Sequence, residues 1–214
     1  MKDSSQDDIP WAWVKYVRNM ILDHNGRCPS SMPVKILDWL YLSNLGNVMD
    51  AERIKREIGI THVVTTNAMS SDCKKQLKTN VQNAGINNHL FVPGEDEEGY
   101  DMIGNHWGKC HSFLKDAKES GGRVVVHCVA GINRSALVVC AACMILEQIP
   151  VIDAVRYCID KRGTILTNES FQKQLCILAK QNGLLGDYPE SYSDSPVKCI
   201  KVYRKPSSAL RRLF

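Results

Sequence analysis

Apolar residues along this chain fall into two kinds of run, some recurring every three or four positions and some packed into short blocks. In WAWVKYVRNMILDH, residues 11–24, Trp11, Val14, Val17, Ile21 and Leu22 sit near helical spacing and predict an amphipathic helix packed on the domain. DAERIKREIG predicts a short helix stopped by Gly59. VKILDWLYLS reads as one strand, and ITHVVTT, HLFVP and GRVVVH as buried strands. Residues 101–119 read as a helix with Trp107, Phe113 and Leu114 among its apolar positions. SALVVCAACMILEQ is apolar all round and predicts a central helix. VIDAVRYCIDKRG and NESFQKQLCILAKQNG predict two more, the second with Asn168 as N-cap and Gly183 just past its end. Strands alternating with helices imply an α/β fold, a central mixed, mostly parallel sheet flanked by helices on both faces.

At 214 residues, one domain with tails is expected. Residues 1–29 form an N-terminal extension carrying the first helix, and residues 1–8 read as disordered. Residues 30–184 form the domain, and residues 185–214 a basic, proline-containing, flexible tail with Lys198, Lys201, Arg204, Lys205, Arg211 and Arg212. The net charge of +4 is too mild to imply a nucleic-acid or membrane partner. No apolar run approaches the ~18 residues of a membrane span, and the acidic, polar start is unlike a secretory signal. Nine cysteines, an odd number without framework spacing, favour reduced thiols and an intracellular, cytoplasmic or nuclear location. Cys140 and Cys143 form a C-x-x-C inside an apolar helix and read as core thiols. No second pair completes a zinc site, so no metal is expected.

One stretch breaks the pattern. VVVHCVAGINRSALVV, residues 124–139, stops an apolar strand at a Cys, crosses a Gly-containing loop, and resumes as a helix after an Arg-Ser pair. A strand that hands over to a helix in this way aims backbone N–H groups and the positive helix end at one point. Such a point binds phosphate-like anions and lowers the pKa of a thiol placed there, here Cys128. His127 adds a hydrogen bond near the sulfur, and Gly131 lets the backbone curl. Arg134 can grip two phosphoryl oxygens at once, and Ser135 can donate to the sulfur. Val129, Ala130, Gly131, Ile132 and Asn133, with Arg134, line the cradle.

His127, Cys128, Gly131, Arg134 and Ser135 match H-C-x-x-G-x-x-R-[S/T], and the chain thereby resembles the cysteine-dependent protein tyrosine phosphatases. The resemblance implies a phosphatase-type loop between a strand and a helix. It also implies an upstream Asp that serves as acid. In VPGEDEEGYDM, Asp96 best resembles the acid of small dual-specificity phosphatases, with Asp101 placed in the first turn of the next helix; Asp101 and Glu97 are the fallbacks. KRGTILTNESFQKQL resembles the family's late element through Arg162, Asn168, Phe171, Gln174 and Leu175, with Gly163 and Thr167 in place of the usual prolines. In the family that Asn braces the phosphate loop. LYLSN resembles the opening strand, with Ser43 where Gly is usual.

Absences narrow the subfamily. The loop carries no Lys of the kind that meets polyphosphorylated lipid headgroups. No K-N-R-Y-type segment deepens the pocket, which implies access for phosphoserine and phosphothreonine as well as phosphotyrosine. The chain leaves no room for an N-terminal kinase-docking domain and so resembles the small atypical group. The resemblance therefore implies a protein phosphatase acting through a cysteinyl-phosphate, without metal or organic cofactor. Its substrates would be phosphoproteins, with the N-terminal helix or the basic tail as docking segments for a kinase or another partner. The alternatives are an RNA 5′-triphosphatase or a phosphoinositide phosphatase with the same loop, or an inactive phosphoprotein-binding module. Cys73, Cys110 and Cys176 are candidate resolving thiols should Cys128 be oxidised.

Overall fold

The computed structural model describes residues 9–24, 26 and 31–189. The expectations of disorder over residues 1–8 and of a flexible basic tail beyond Pro189 lie outside the described residues.

Within them, a five-stranded sheet runs in the order β1-β2-β5-β3-β4. The strands are β1 Val34–Lys35, β2 Leu40–Asn44, β3 His62–Thr65, β4 Asn88–Phe91 and β5 Val124–Cys128. Only β1 is antiparallel to its neighbour, so the mixed, mostly parallel α/β sheet expected from the pattern is present. The central strands read as uninterrupted apolar runs because both faces are covered. Leu40, Leu42, Val64, Val124 and Val126 face one core, with α1 Trp11–Leu22, α5 Met102–Glu119, α6 Arg134–Glu147, α7 Val151–Arg162 and α8 Glu169–Gln181. Tyr41, Val63 and Val125 face the other, with α2 Leu45–Met49, α3 Ala51–Ile58 and α4 Ser71–Asn83.

Helix α6 has ten consecutive buried residues, Ser135 to Met144, which explains its featureless apolar sequence. Cys140 and Cys143 are among them, as core thiols. On α1, Val14, Val17 and Ile21 are buried, whereas Trp11 and Leu22 stay exposed. Gly59 ends α3 in the left-handed conformation at φ 77°.

Three expectations change. Residues 34–43 are two strands joined by a tight turn, with Ile36 N and Leu37 N both donating to Leu40 O. The turn buries Ile36 and Leu37 in the core, which gives the segment its strand-like composition. β4 is an edge strand, paired only with β3, and its residues are half-buried or exposed. Helix α4 carries no apolar stripe beyond Leu77 and Val81, so its polar surface hides it in the pattern. Those two residues are fully buried. Leu77→Ala is expected to cost about 2–5 kcal/mol, lowering the urea midpoint without changing the slope.

Candidate active site

β5 is the middle strand of the sheet, and Cys128 is its last residue. On one side Asn44 is the register partner of Cys128, and Leu45 N donates to Val129 O at 3.1 Å. Beyond Cys128 the chain curls through residues 129–133 and enters α6 at Arg134. Gly131 makes the curl at φ 72°, and a Cβ there would lie 2.5 Å from Ser43 O and 2.9 Å from Arg162 Nη2. Only glycine fits. Asn133 stands at the N-cap of α6 but makes no side-chain cap bond.

The donors so gathered meet at the sulfur. Gly131 N and Ser135 Oγ each donate to Cys128 Sγ at 3.2 Å. Cys128 is buried, and burial alone would raise its pKa. The Ser135 hydroxyl, together with the backbone N–H groups of Ser135, Ile132 and Gly131, outweighs that effect and holds the thiol below its ordinary value.

Residues 162–168 brace the loop from outside. Arg162, 2 % exposed, donates from Nη2 to Ala130 O at 3.1 Å. Leu166 N donates to Ile132 O at 2.9 Å, from a residue held at φ 52°. Asn133 Oδ1 accepts from Thr167 Oγ1 at 3.0 Å and from Asn168 N at 3.2 Å. The side chain that would cap α6 is engaged here instead, so the helix N-terminus stays open toward the cradle. The exposed Val129 and Ala130 form the outer turn of the loop.

The acidic loop reaches the same place. Asp96 Oδ2 accepts from Asn133 Nδ2 at 3.3 Å, and Oδ1 from Asn168 Nδ2 at 3.2 Å. Arg134 Nε lies 3.7 Å from Asp96 Oδ2, and Arg134 Nη1 donates to Gly94 O at 3.3 Å. That Nε is buried and makes no hydrogen bond among the described residues, which leaves it available to an incoming oxyanion. Asp101 is not in the first turn of α5. It is the N-cap, and its carboxylate accepts from Gly104 N at 2.7 Å, away from the cradle. Glu98 accepts from Glu169 N at 3.1 Å. Asn168 joins two functions: its Oδ1 caps α8 by accepting from Phe171 N, and its Nδ2 holds Asp96.

His127 is fully buried. Its Nε2 lies 2.7 Å from Thr65 Oγ1, and its Nδ1 lies 3.2 Å from its neighbour's carbonyl, Cys128 O. Burial pushes its pKa down to about 4. Thr65 was not visible as a site residue, because a Thr at a strand end is ordinary. Arg162 was matched only as part of the late element. Cys110 and Cys176 lie in the helical core, where burial pushes both thiols up to about 12 and makes them poor resolving partners.

Comparison with known proteins gives the family. Residues 40–181 match the family model described as dual specificity phosphatase, catalytic domain. The chain belongs to that family. It is 32 % identical over 149 residues to dual specificity protein phosphatase 2 of Mus musculus, covering 70 % of this chain and 43 % of that protein. It thus spans less than half the length of that relative. The crystal structure of human DUSP28 superposes with a TM-score of 0.62 at 21 % identity, over 74 % of this chain and 99 % of that one. The human tyrosine phosphatase-like serine/threonine/tyrosine-interacting protein does so at 0.59 and 27 %, over 67 % and 93 %.

A neutral, buried His127 makes stability depend on pH. The unfolded chain takes up a proton below about 6.5, whereas the folded one does not until about 4. Stability is therefore full above the higher value and falls as pH drops between the two. Urea unfolding at pH about 7 and about 5 should differ by about 2 kcal/mol from this residue alone, and His127→Asn should remove that part of the difference.

Proposed function

We propose that this protein hydrolyses phosphotyrosine and phosphoserine or phosphothreonine in proteins through a cysteinyl-phosphate intermediate. The observation that carries the reading is the Cys128 sulfur, held under the donors of Gly131 and Ser135 with its pKa lowered, in the same cradle as Arg134 and Asp96. Phosphoryl transfer needs little more than positioning and charge stabilisation, and both are built into the loop.

In the first step the Cys128 thiolate attacks phosphorus in line. The S–P bond forms as the P–O bond to the side-chain oxygen breaks, and protonated Asp96 gives that oxygen its proton. Arg134 and the loop N–H groups hold the three remaining oxygens. In the second step Asp96, now a carboxylate, takes a proton from water as the water attacks phosphorus. The S–P bond breaks, inorganic phosphate leaves, and the thiolate is restored. Ser135 donates to the departing sulfur in that step. Asn133 and Asn168 orient the Asp96 carboxyl for both.

The uncharged loop positions Val129, Ala130, Ile132 and Asn133 support a phosphoprotein over a polyphosphorylated lipid headgroup. A cytoplasmic or nuclear location belongs to the same proposal, since a low-pKa thiolate lasts longest in a reducing compartment. No described helix is long and apolar enough to cross a membrane. Docking of a kinase or another partner falls, within this proposal, to the outer side of α1, where Trp11 and Leu22 are exposed, or to the basic tail. The second reading is a binding module, since one structural relative is by its name a phosphatase-like interacting protein. The retained Cys128 and Arg134 favour turnover over binding alone.

Phosphate release from matched phosphotyrosine and phosphothreonine peptides tests the proposal, beside a phosphoinositide and a 5′-triphosphate RNA. Turnover of both peptides is expected, abolished in Cys128→Ser. Asp96→Asn should lower kcat by about 10²- to 10⁴-fold. Turnover of lipid or RNA alone would overturn the substrate assignment. Cys128-independent or absent turnover with retained phosphopeptide binding would favour the module.

A further inference from the structure

Behind the loop a line of polar side chains crosses three adjacent strands. Thr65 ends β3 as the register partner of His127 on β5. Its Oγ1 lies 2.7 Å from His127 Nε2 and 2.9 Å from Nε2 of His89 on the edge strand β4.

The direction of donation along this line follows from its inner end. A carbonyl oxygen only accepts, so His127 Nδ1, facing Cys128 O, carries the proton. The imidazole is neutral because it is fully buried, so its Nε2 is bare and accepts from the Thr65 hydroxyl. The Thr65 oxygen then accepts from His89 Nε2–H. This leaves His89 Nδ1 bare, and it is a buried ring nitrogen without a hydrogen-bond partner. The sequence is His89 to Thr65 to His127 to the Cys128 carbonyl, and each group supports the protonation state of the next.

We propose that Thr65 and His89 are positioning residues for the nucleophile: they fix the Nδ1–H tautomer of His127, and His127 in turn holds the Cys128 peptide so that the loop donors meet the sulfur. This rests on the reading of Cys128 as nucleophile. Without the Thr65 hydroxyl, His127 is free to carry its proton on Nε2. A bare Nδ1 would then face Cys128 O, acceptor against acceptor, at the residue from which the loop departs. The Gly131 and Ser135 donors, each at 3.2 Å, meet the sulfur where that peptide places it.

The surroundings of His89 suit a fixed donor. Its ring stacks on Phe91 at 3.9 Å between centroids, and Lys74 Nζ lies 5.0 Å from the centre of the Phe91 ring. Burial, then His127 on β5 and Lys78 and Lys74 on α4, all disfavour its cation and push its pKa down to about 3. His89 therefore stays neutral above about 3, so a profile displaced above that value does not report its own titration.

The test is the pH dependence of Cys128 alkylation by iodoacetamide, followed by mass spectrometry of its peptide. Thr65→Val, His89→Leu and His89→Gln are compared with the wild type. Thr65→Val is expected to raise the apparent thiol pKa by about one unit and His89→Leu by about half a unit, whereas His89→Gln, whose amide N–H can occupy the Nε2 position, stays close to wild type. The acidic limb of kcat/KM for a phosphopeptide should move by the same amounts and rejoin the wild-type plateau at higher pH. General damage to the fold would lower the whole curve. Superimposable alkylation profiles for Thr65→Val and wild type would overturn the proposal. So would a depressed kcat/KM curve with an unmoved limb. Alkylation needs no turnover, so a displaced alkylation profile in a protein that turns over no phosphopeptide would uphold the line of side chains and reject the phosphatase reading.

Discussion

Backbone N–H groups that converge on one point repel one another, and a chain does not hold that arrangement unaided. Residues 129–135 do hold it, around a single buried sulfur. Much of the surrounding architecture supplies a counter-force to this one unfavourable shape. Arg162 pins Ala130, Leu166 pins Ile132 from a left-handed backbone, and Thr167 and Asn168 donate to the side-chain amide oxygen of Asn133. The thiolate is what the converging donors favour, which is why its pKa falls although burial opposes it.

The same constraint explains the placement of Asp96. Asp96 is one exposed carboxylate among several on a charged loop, and it is the one held by Asn133 and Asn168. Each asparagine accepts with its amide oxygen from residues at the start of α8 or leading into it, and donates with its amide nitrogen to Asp96. The position of Asp96 over the loop that holds Cys128 is thus set by two side chains outside the acidic loop. Arg134, at the start of α6, reaches the same acidic loop through Gly94 O and the Asp96 carboxylate.

What could be read from the sequence follows from what is local. The loop from His127 to Ser135 is legible because its shape is dictated by its own residues, Gly131 above all. The alternation of buried strands and apolar helices was legible because parallel strands covered on both faces leave a strong pattern. Asp96 and Asp101 looked alike because an N-cap carboxylate and a site carboxylate are the same residue type; only the third dimension assigns Asp101 to Gly104 N. Helix α4 escaped notice because its sheet-facing side needs just Leu77 and Val81. The turn at residues 36–39 escaped because its apolar residues point into the core as a strand's would. Arg162, Thr65 and His89 act across strands and helices distant in the chain, and each is unexceptional where it stands.

The shared amide of Asn133 has a thermodynamic consequence. Its oxygen holds the segment leading into α8, while its backbone lies in the curl of N–H groups before α6. An anion that seats in the curl favours the conformation in which that oxygen faces Thr167 and Asn168, so occupancy of the cradle and order in the α7–α8 connection belong to one linked equilibrium. By reciprocity, whatever tightens that connection from the far side of the domain raises affinity for the anion by the same factor, with no contact to the anion itself.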